Sequence, residues 1–109
     1  MPAIIEVDAQ TAKDWVDAGD AILIDVRESQ ELEEVKITGA LHNPMSNFNP
    51  DTVPAKAGKK VIFVCAHGMR SVQVGQYLLN SGKLEEAYSM AGGTSAWAQA
   101  GLPFEHEQA

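Results

Sequence analysis

The sequence predicts an α/β fold, a parallel sheet with helices on both faces. Short β-branched, apolar runs alternate along the chain with stretches patterned at helical spacing. Ala21-Ile-Leu-Ile-Asp25-Val and Val61-Ile-Phe-Val64 are almost continuously apolar, as strands covered on both faces are. Asp25, Cys65 and the Gly92-Gly93 pair each fall where a strand ends. In parallel sheets of this kind a site forms beyond the carboxyl ends of the strands, so these three positions are expected to meet at one edge.

Residues 4–7 read as a first short strand. Asp8 caps a helix over residues 9–18, in which Ala12, Trp15 and Val16 recur at helical spacing before Gly19 ends it. Residues 21–26 form the second strand. The charged stretch 27–34 reads as a short helix whose Glu31-Leu-Glu-Glu34 face is solvated. Residues 38–44 make a third, short strand entering a turn at Pro44. Pro44, Pro50, Pro54 and Gly58 leave 44–60 as mostly loop with a helical turn. Residues 61–64 are the clearest strand. An amphipathic helix over 71–80 follows, with Val72, Val74, Tyr77, Leu78 and Leu79 as its buried side and Gly82 as its stop. Residues 86–90 are the fifth strand, Gly92-Gly93 a permissive turn, and 94–99 a short helix before Gly101-Leu-Pro103. Trp15, Tyr77 and Trp97 are expected in the core. No repeat or long linker interrupts the pattern, and residues 1–109 are expected to form one domain.

The composition narrows the function. Eight Lys and Arg against fifteen Asp and Glu give a net charge of −7, a poor balance for non-specific binding of nucleic acid or anionic membranes. No apolar run approaches the roughly 20 residues of a membrane span. Met1-Pro-Ala-Ile-Ile-Glu lacks the basic and apolar regions of a secretory signal. One cysteine excludes an intramolecular disulfide and suits a reducing compartment, so a cytoplasmic location is expected.

That cysteine stands where chemistry is easiest to build. Cys65 ends a strand, and a helical pattern starts straight after Cys65-Ala-His-Gly-Met-Arg70-Ser71. Such a turn points the N–H groups of residues 66–70 back toward the sulfur. Those donors, the positive end of the helix and the Arg70 guanidinium all favour the thiolate, the reactive form. Gly68 lets the backbone curl without a Cβ clash, and Ser71 is a natural helix cap. Cys65 is thus the candidate nucleophile, and Ala66, His67, Gly68, Met69, Arg70 and Ser71 are the candidate binding loop.

Plainer readings stand beside these. A buried cysteine is often only a small apolar residue ending a core strand. Arg70 either orients an anionic ligand, pins the loop, or is a solvated charge. His67 reads first as a surface loop residue with a modest field effect. Asp25 and Arg27 read first as a salt bridge holding the turn after the second strand, in support of the site. No metal or cofactor is expected: the spacings of Cys65, His67, His42 and His106 match no zinc pattern.

With these residues in hand, the chain resembles the single-domain rhodanese-like sulfurtransferases over essentially its whole length. Asp25-Val-Arg27-Glu resembles the family signature after the second strand, and Gly39-Ala-Leu-His-Asn-Pro44 its small-residue turn. Cys65 to Ser71 resembles its active loop, while Ala91-Gly-Gly-Thr-Ser-Ala-Trp97 and Gly101-Leu-Pro103 resemble its C-terminal signature. The family usually places Gly-His before the isoleucine at the position of Ile37; Val35-Lys36 stand here, outside the loop, and alter a local turn. The resemblance implies a five-stranded parallel sheet. It also implies that Cys65 takes a sulfane sulfur from a donor such as thiosulfate, becomes a persulfide, and passes the sulfur to cyanide, a small thiol or a partner protein.

The loop itself qualifies that expectation. Arg70 and His67 are its cations, and Ala66 and Met69 are apolar, so the thiosulfate dianion is expected to bind weakly. A polysulfide, glutathione persulfide or protein persulfide is then the expected donor. Two other functions fit the same residues. A cysteine phosphatase needs a wider ring of amides, with five residues between cysteine and arginine where this chain has four. A sulfur-carrier module would hold persulfide only for delivery, its acidic surface selecting a basic partner.

Overall fold

The computed structural model describes residues 3–33, 35–53 and 58–105. Asp8 accepts the Thr11 N–H at 2.7 Å and starts the first helix, as its capping chemistry predicts. The elements run β1 (Ile5–Val7), α1 (Ala9–Asp17), β2 (Ala21–Asp25), β3 (Lys36–Ile37), β4 (Leu41–His42), β5 (Lys60–Val64), α2 (Met69–Asn80), β6 (Tyr88–Met90), α3 (Gly93–Gln99) and β7 (Phe104–Glu105). Short 3-10 turns at Ser29–Glu33, Met45–Asn47 and Pro50–Thr52 fill the long connections.

Five strands form one parallel sheet in the order β1-β6-β5-β2-β4. Side-chain alternation then divides the core in two. Val61 and Phe63 of β5 join Ile24, Val74, Leu78 and Leu79 on the α2 face. Ile62 and Val64 join Ala12, Leu23, Met90 and Trp97 on the face covered by α1 and α3. This is the α/β architecture the apolar runs predict, with helices on both faces.

The structure sharpens the local expectations at three places and corrects one at Tyr77. The stretch 27–34 does hold a short helix, but of the 3-10 type and confined to Ser29–Glu33, and Glu34 lies outside the described residues. The connection 44–60 is mostly loop, as expected, and its described residues hold two 3-10 turns; Pro54 lies outside the described residues. Lys36–Ile37 pairs antiparallel with Phe104–Glu105, a two-stranded ribbon too short to leave a periodic signal. Tyr77 is 60% exposed rather than core. The buried residues of α2 are Ser71, Val74, Gly75, Leu78 and Leu79, a stripe at helical spacing that leaves Tyr77 on the outer side with Gln73.

Candidate active site

α2 begins two residues earlier than expected, and this defines the site. Gly68, at φ 101°, is its N-cap, so the helix starts at Met69. Only glycine adopts that left-handed backbone freely. Ser71 is therefore not a cap. It is the third residue of the helix, fully buried, with its hydroxyl turned to the sulfur.

Cys65 follows β5 and is 1% exposed, packed in the α2-side core as the plainer reading expects. Its sulfur nevertheless faces donors rather than only hydrocarbon. The Gly68 N–H donates to Sγ at 3.0 Å, and Ser71 Oγ lies 3.5 Å away. Burial pushes the thiol up. Hydrogen bonds from the Ser71 hydroxyl and from the N–H groups of Ser71, Gly68 and His67 outweigh that and hold it below the ordinary thiol value.

The loop is tied from two sides. Thr94 N–H donates to the Cys65 carbonyl at 2.8 Å, and Ser95 N–H to the Ala66 carbonyl at 3.2 Å. Gly93 makes that approach possible, because a Cβ there would lie 2.1 Å from Cys65 O. On the other side Arg70 donates from Nη1 to Glu31 Oε1 at 2.7 Å and from Nη2 to Oε2 at 2.8 Å. This fork pulls the Glu31 carboxyl down to about 2 and raises Arg70 still further. Glu31 is thus a partner of the loop, not part of a solvated face.

Asp25 and Arg27 form a buried pair, Nη2 to Oδ2 at 2.8 Å, with exposures of 2% and 3%. Arg27 also donates to the carbonyls of Glu31 and Val35, so it organises the turn that carries Glu31. The Val35 carbonyl serves this contact although Val35-Lys36 differ from the usual family pair. Backbone contacts join Val26 to Val64 and Gly93's neighbour Thr94 to Cys65, so Asp25, Cys65 and Gly92-Gly93 do meet at one sheet edge.

The rhodanese-like domain signature matches residues 8–100 of the chain. The chain belongs to the rhodanese-like domain family. A Vibrio cholerae protein named thiosulfate sulfurtransferase GlpE is 31% identical over 105 residues, spanning 96% of this chain and 98% of that relative. A Pseudomonas aeruginosa thiosulfate sulfurtransferase structure aligns at a TM-score of 0.79 and 29% identity, covering 96% of this chain and 21% of that one. A Rhodopseudomonas palustris structure, described as of unknown function and a possible tyrosine phosphatase, aligns at 0.79 and 26% identity, covering 94% and 85%.

In this rhodanese-like domain a cleft of about 550 Å³ opens beside the loop, lined by Ala66, His67, Glu31, Arg27, Ser95 and Gln99 among others. His67 is exposed there, its Nδ1 3.4 Å from Ser95 Oγ. Met69 is 76% exposed and Ala66 half-buried at the mouth of the loop. Among the described residues no cluster of metal-binding side chains occurs, and His106 lies outside them. Two residues of the site escaped the sequence reading. Glu31 looked like one of several acidic residues on a helix face. Ser89, whose hydroxyl lies 2.6 Å from Ser71 Oγ behind the sulfur, carried a faint signal, a hydroxyl in the middle of the buried strand Tyr88–Met90.

Proposed function

We propose that the chain is a sulfurtransferase that moves a sulfane sulfur through a persulfide on Cys65. The observation that carries this reading is a thiol held low by hydrogen bonds from the turn that opens α2. Relatives named thiosulfate sulfurtransferase support the class of reaction.

In the first step the Cys65 thiolate attacks the outer sulfur of the donor. The new S–S bond forms as the donor's own bond to that sulfur breaks, and its electron pair leaves with sulfite or a thiolate. In the second step an acceptor thiolate or cyanide attacks the outer sulfur, and the electron pair returns to Cys65. The reaction is nucleophilic catalysis in two transfers, with no net redox change beyond the sulfur passed on. The N–H groups of His67, Gly68 and Ser71, with the Ser71 hydroxyl, stabilise the resting thiolate, and the same turn would hold the anionic persulfide that follows.

The donor preferred is a persulfide on an organic thiol, or a polysulfide, rather than thiosulfate. The chain's two arginines are both engaged, Arg70 by Glu31 and Arg27 by Asp25, so a sulfonate finds no open guanidinium in the cleft. The cleft is large enough for the carrier portion of a thiol of glutathione size. With one cysteine in the chain, release of the sulfur is intermolecular, and either a small thiol or a partner protein can take it.

A donor and acceptor panel on wild type and Cys65→Ser tests the proposal. Wild type should gain a sulfur adduct on Cys65 by mass spectrometry and turn over, with kcat/KM for glutathione persulfide above that for thiosulfate. Cys65→Ser should fold and do neither. Transfer by Cys65→Ser, or aryl-phosphate hydrolysis by wild type without a sulfur adduct, would overturn it.

A further inference from the structure

Behind the reactive sulfur lies a hydroxyl pair. Ser89, in the middle of β6, and Ser71, on α2, are both 0% exposed. Their oxygens are 2.6 Å apart, and Ser71 Oγ is 3.5 Å from Cys65 Sγ. Among the described residues, Ser71 is the hydrogen-bond partner of the Ser89 hydroxyl, so a chain of three groups runs from the sulfur and stops at Ser89.

Three groups are joined by two links. With the sulfur as a thiolate, two protons fill both links: Ser89 donates to Ser71 Oγ, and Ser71 donates to Sγ. With the sulfur protonated, three protons meet two links, and one has no acceptor within the chain. The direction of the Ser71 proton is therefore decisive. The competing acceptor for the Ser71 proton is Ser89 Oγ itself, since either hydroxyl of that pair can donate. A hydroxyl already accepting a bond is also a stronger donor.

We propose that Ser89 is a positioning residue for Cys65: by donating to Ser71 Oγ it keeps the Ser71 proton aimed at the reacting sulfur. The inference rests on the reading of Cys65 as the group that reacts. The charged and titratable groups around the loop are Arg70 on α2, held by Glu31 on the turn before β3, the Asp25–Arg27 pair at the end of β2, and His67 on the loop itself, whose ring lies by Ser95. The hydrogen bonds of all of them run to groups other than Ser89.

The pH dependence of Cys65 alkylation by iodoacetamide tests the role directly, since the chain has no other cysteine. Ser89→Ala should raise the midpoint by about half a unit to one unit, the scale of weakening one hydrogen bond to a charged group. Ser71→Ala should raise it at least as far, Ser71→Ala/Ser89→Ala no further than Ser71→Ala alone, and Ser89→Thr should keep it low. A Ser89→Ala midpoint equal to wild type, even with a lowered Tm, assigns Ser89 to packing and overturns the proposal. So do shifts that simply add in the double variant. Should Ser89→Ala fail to fold, NMR on wild type still decides: both buried hydroxyl protons should shift through the thiol midpoint, and a Ser89 proton that ignores it refutes the chain. Mass spectrometry after persulfide treatment keeps the two readings apart. Shifted midpoints without a sulfur adduct on wild type refute sulfur transfer and support Ser89, whereas an adduct with unshifted midpoints refutes Ser89 alone.

Discussion

At the scale of single residues, the site depends on an atom that is missing. Gly93 has φ 58°, and a Cβ on it would lie 2.1 Å from the Cys65 carbonyl oxygen and 2.5 Å from the Ala66 carbonyl carbon. Both neighbours are backbone, so no side chain can swing aside to make room. The same carbonyls accept the Thr94 and Ser95 N–H groups, which means a Cβ would break the contact that holds the nucleophile's own peptide. Gly93→Ala should therefore destabilise by about 1–3 kcal/mol or more, adding strain to a lost pair of hydrogen bonds. It should also reduce transfer at least tenfold, because the loop must retreat from α3. Denaturant titration and kcat on the folded protein measure the two effects. A variant with wild-type kcat would mean the loop does not need that approach.

At the scale of elements, α2 and the 3-10 turn Ser29–Glu33 are locked by the Arg70–Glu31 fork. Both side chains are 32% exposed, so solvent screens the pair and its stabilisation is about 1 kcal/mol at most. Glu31 is depressed from 4.5 to about 2 in the folded chain. A depressed carboxyl contributes its stability above the unfolded value and loses it as pH falls toward the folded one. The stability gap between wild type and Glu31→Ala should hold from neutrality to about pH 5 and shrink below it. Opening the fork also frees a guanidinium beside the cleft, so Glu31→Ala should lower KM for thiosulfate several-fold while changing that for glutathione persulfide little. An unchanged thiosulfate KM would show that the fork does not set donor choice. These elements also mark where sequence was readable. The strands were legible because continuous apolar runs and the Asp8 cap are local signals. The start of α2 was not, since a glycine N-cap and a serine capping signal compete within three residues and only the tertiary position of the sulfur decides. Tyr77 misled because an aromatic beside Leu78 and Leu79 looks apolar by neighbour, whereas its angle on the helix turns it outward. Glu31 was unreadable because its partner is 39 residues away.

At the scale of the whole molecule, the two halves of the core share one wall. β5 gives Val61 and Phe63 to the α2 face and Ile62 and Val64 to the face of α1 and α3. β2 does the same, with Ile24 on one side and Leu23 on the other. Neither face can be lost without exposing alternate residues of both central strands, and the loop after β5 would lose its anchor at the same moment. The two core faces and the strands between them are therefore expected to unfold as one cooperative unit. The chain supplies its own probes. Trp15 and Trp97 both belong to the α1 and α3 face, while α2, at 12 residues the longest helix among the described residues, dominates the far-UV signal of the other. Urea transitions followed by tryptophan fluorescence and by far-UV circular dichroism should share one midpoint and one slope. Alkylation of Cys65 under the same conditions should become that of a free thiol across the same transition, because the amides that depress it belong to the turn those strands hold. A tryptophan transition that precedes the loss of helix signal would show that the α1 and α3 face melts alone. The site would then rest on α2 and β5 without the α3 contact, against the geometry of Gly93.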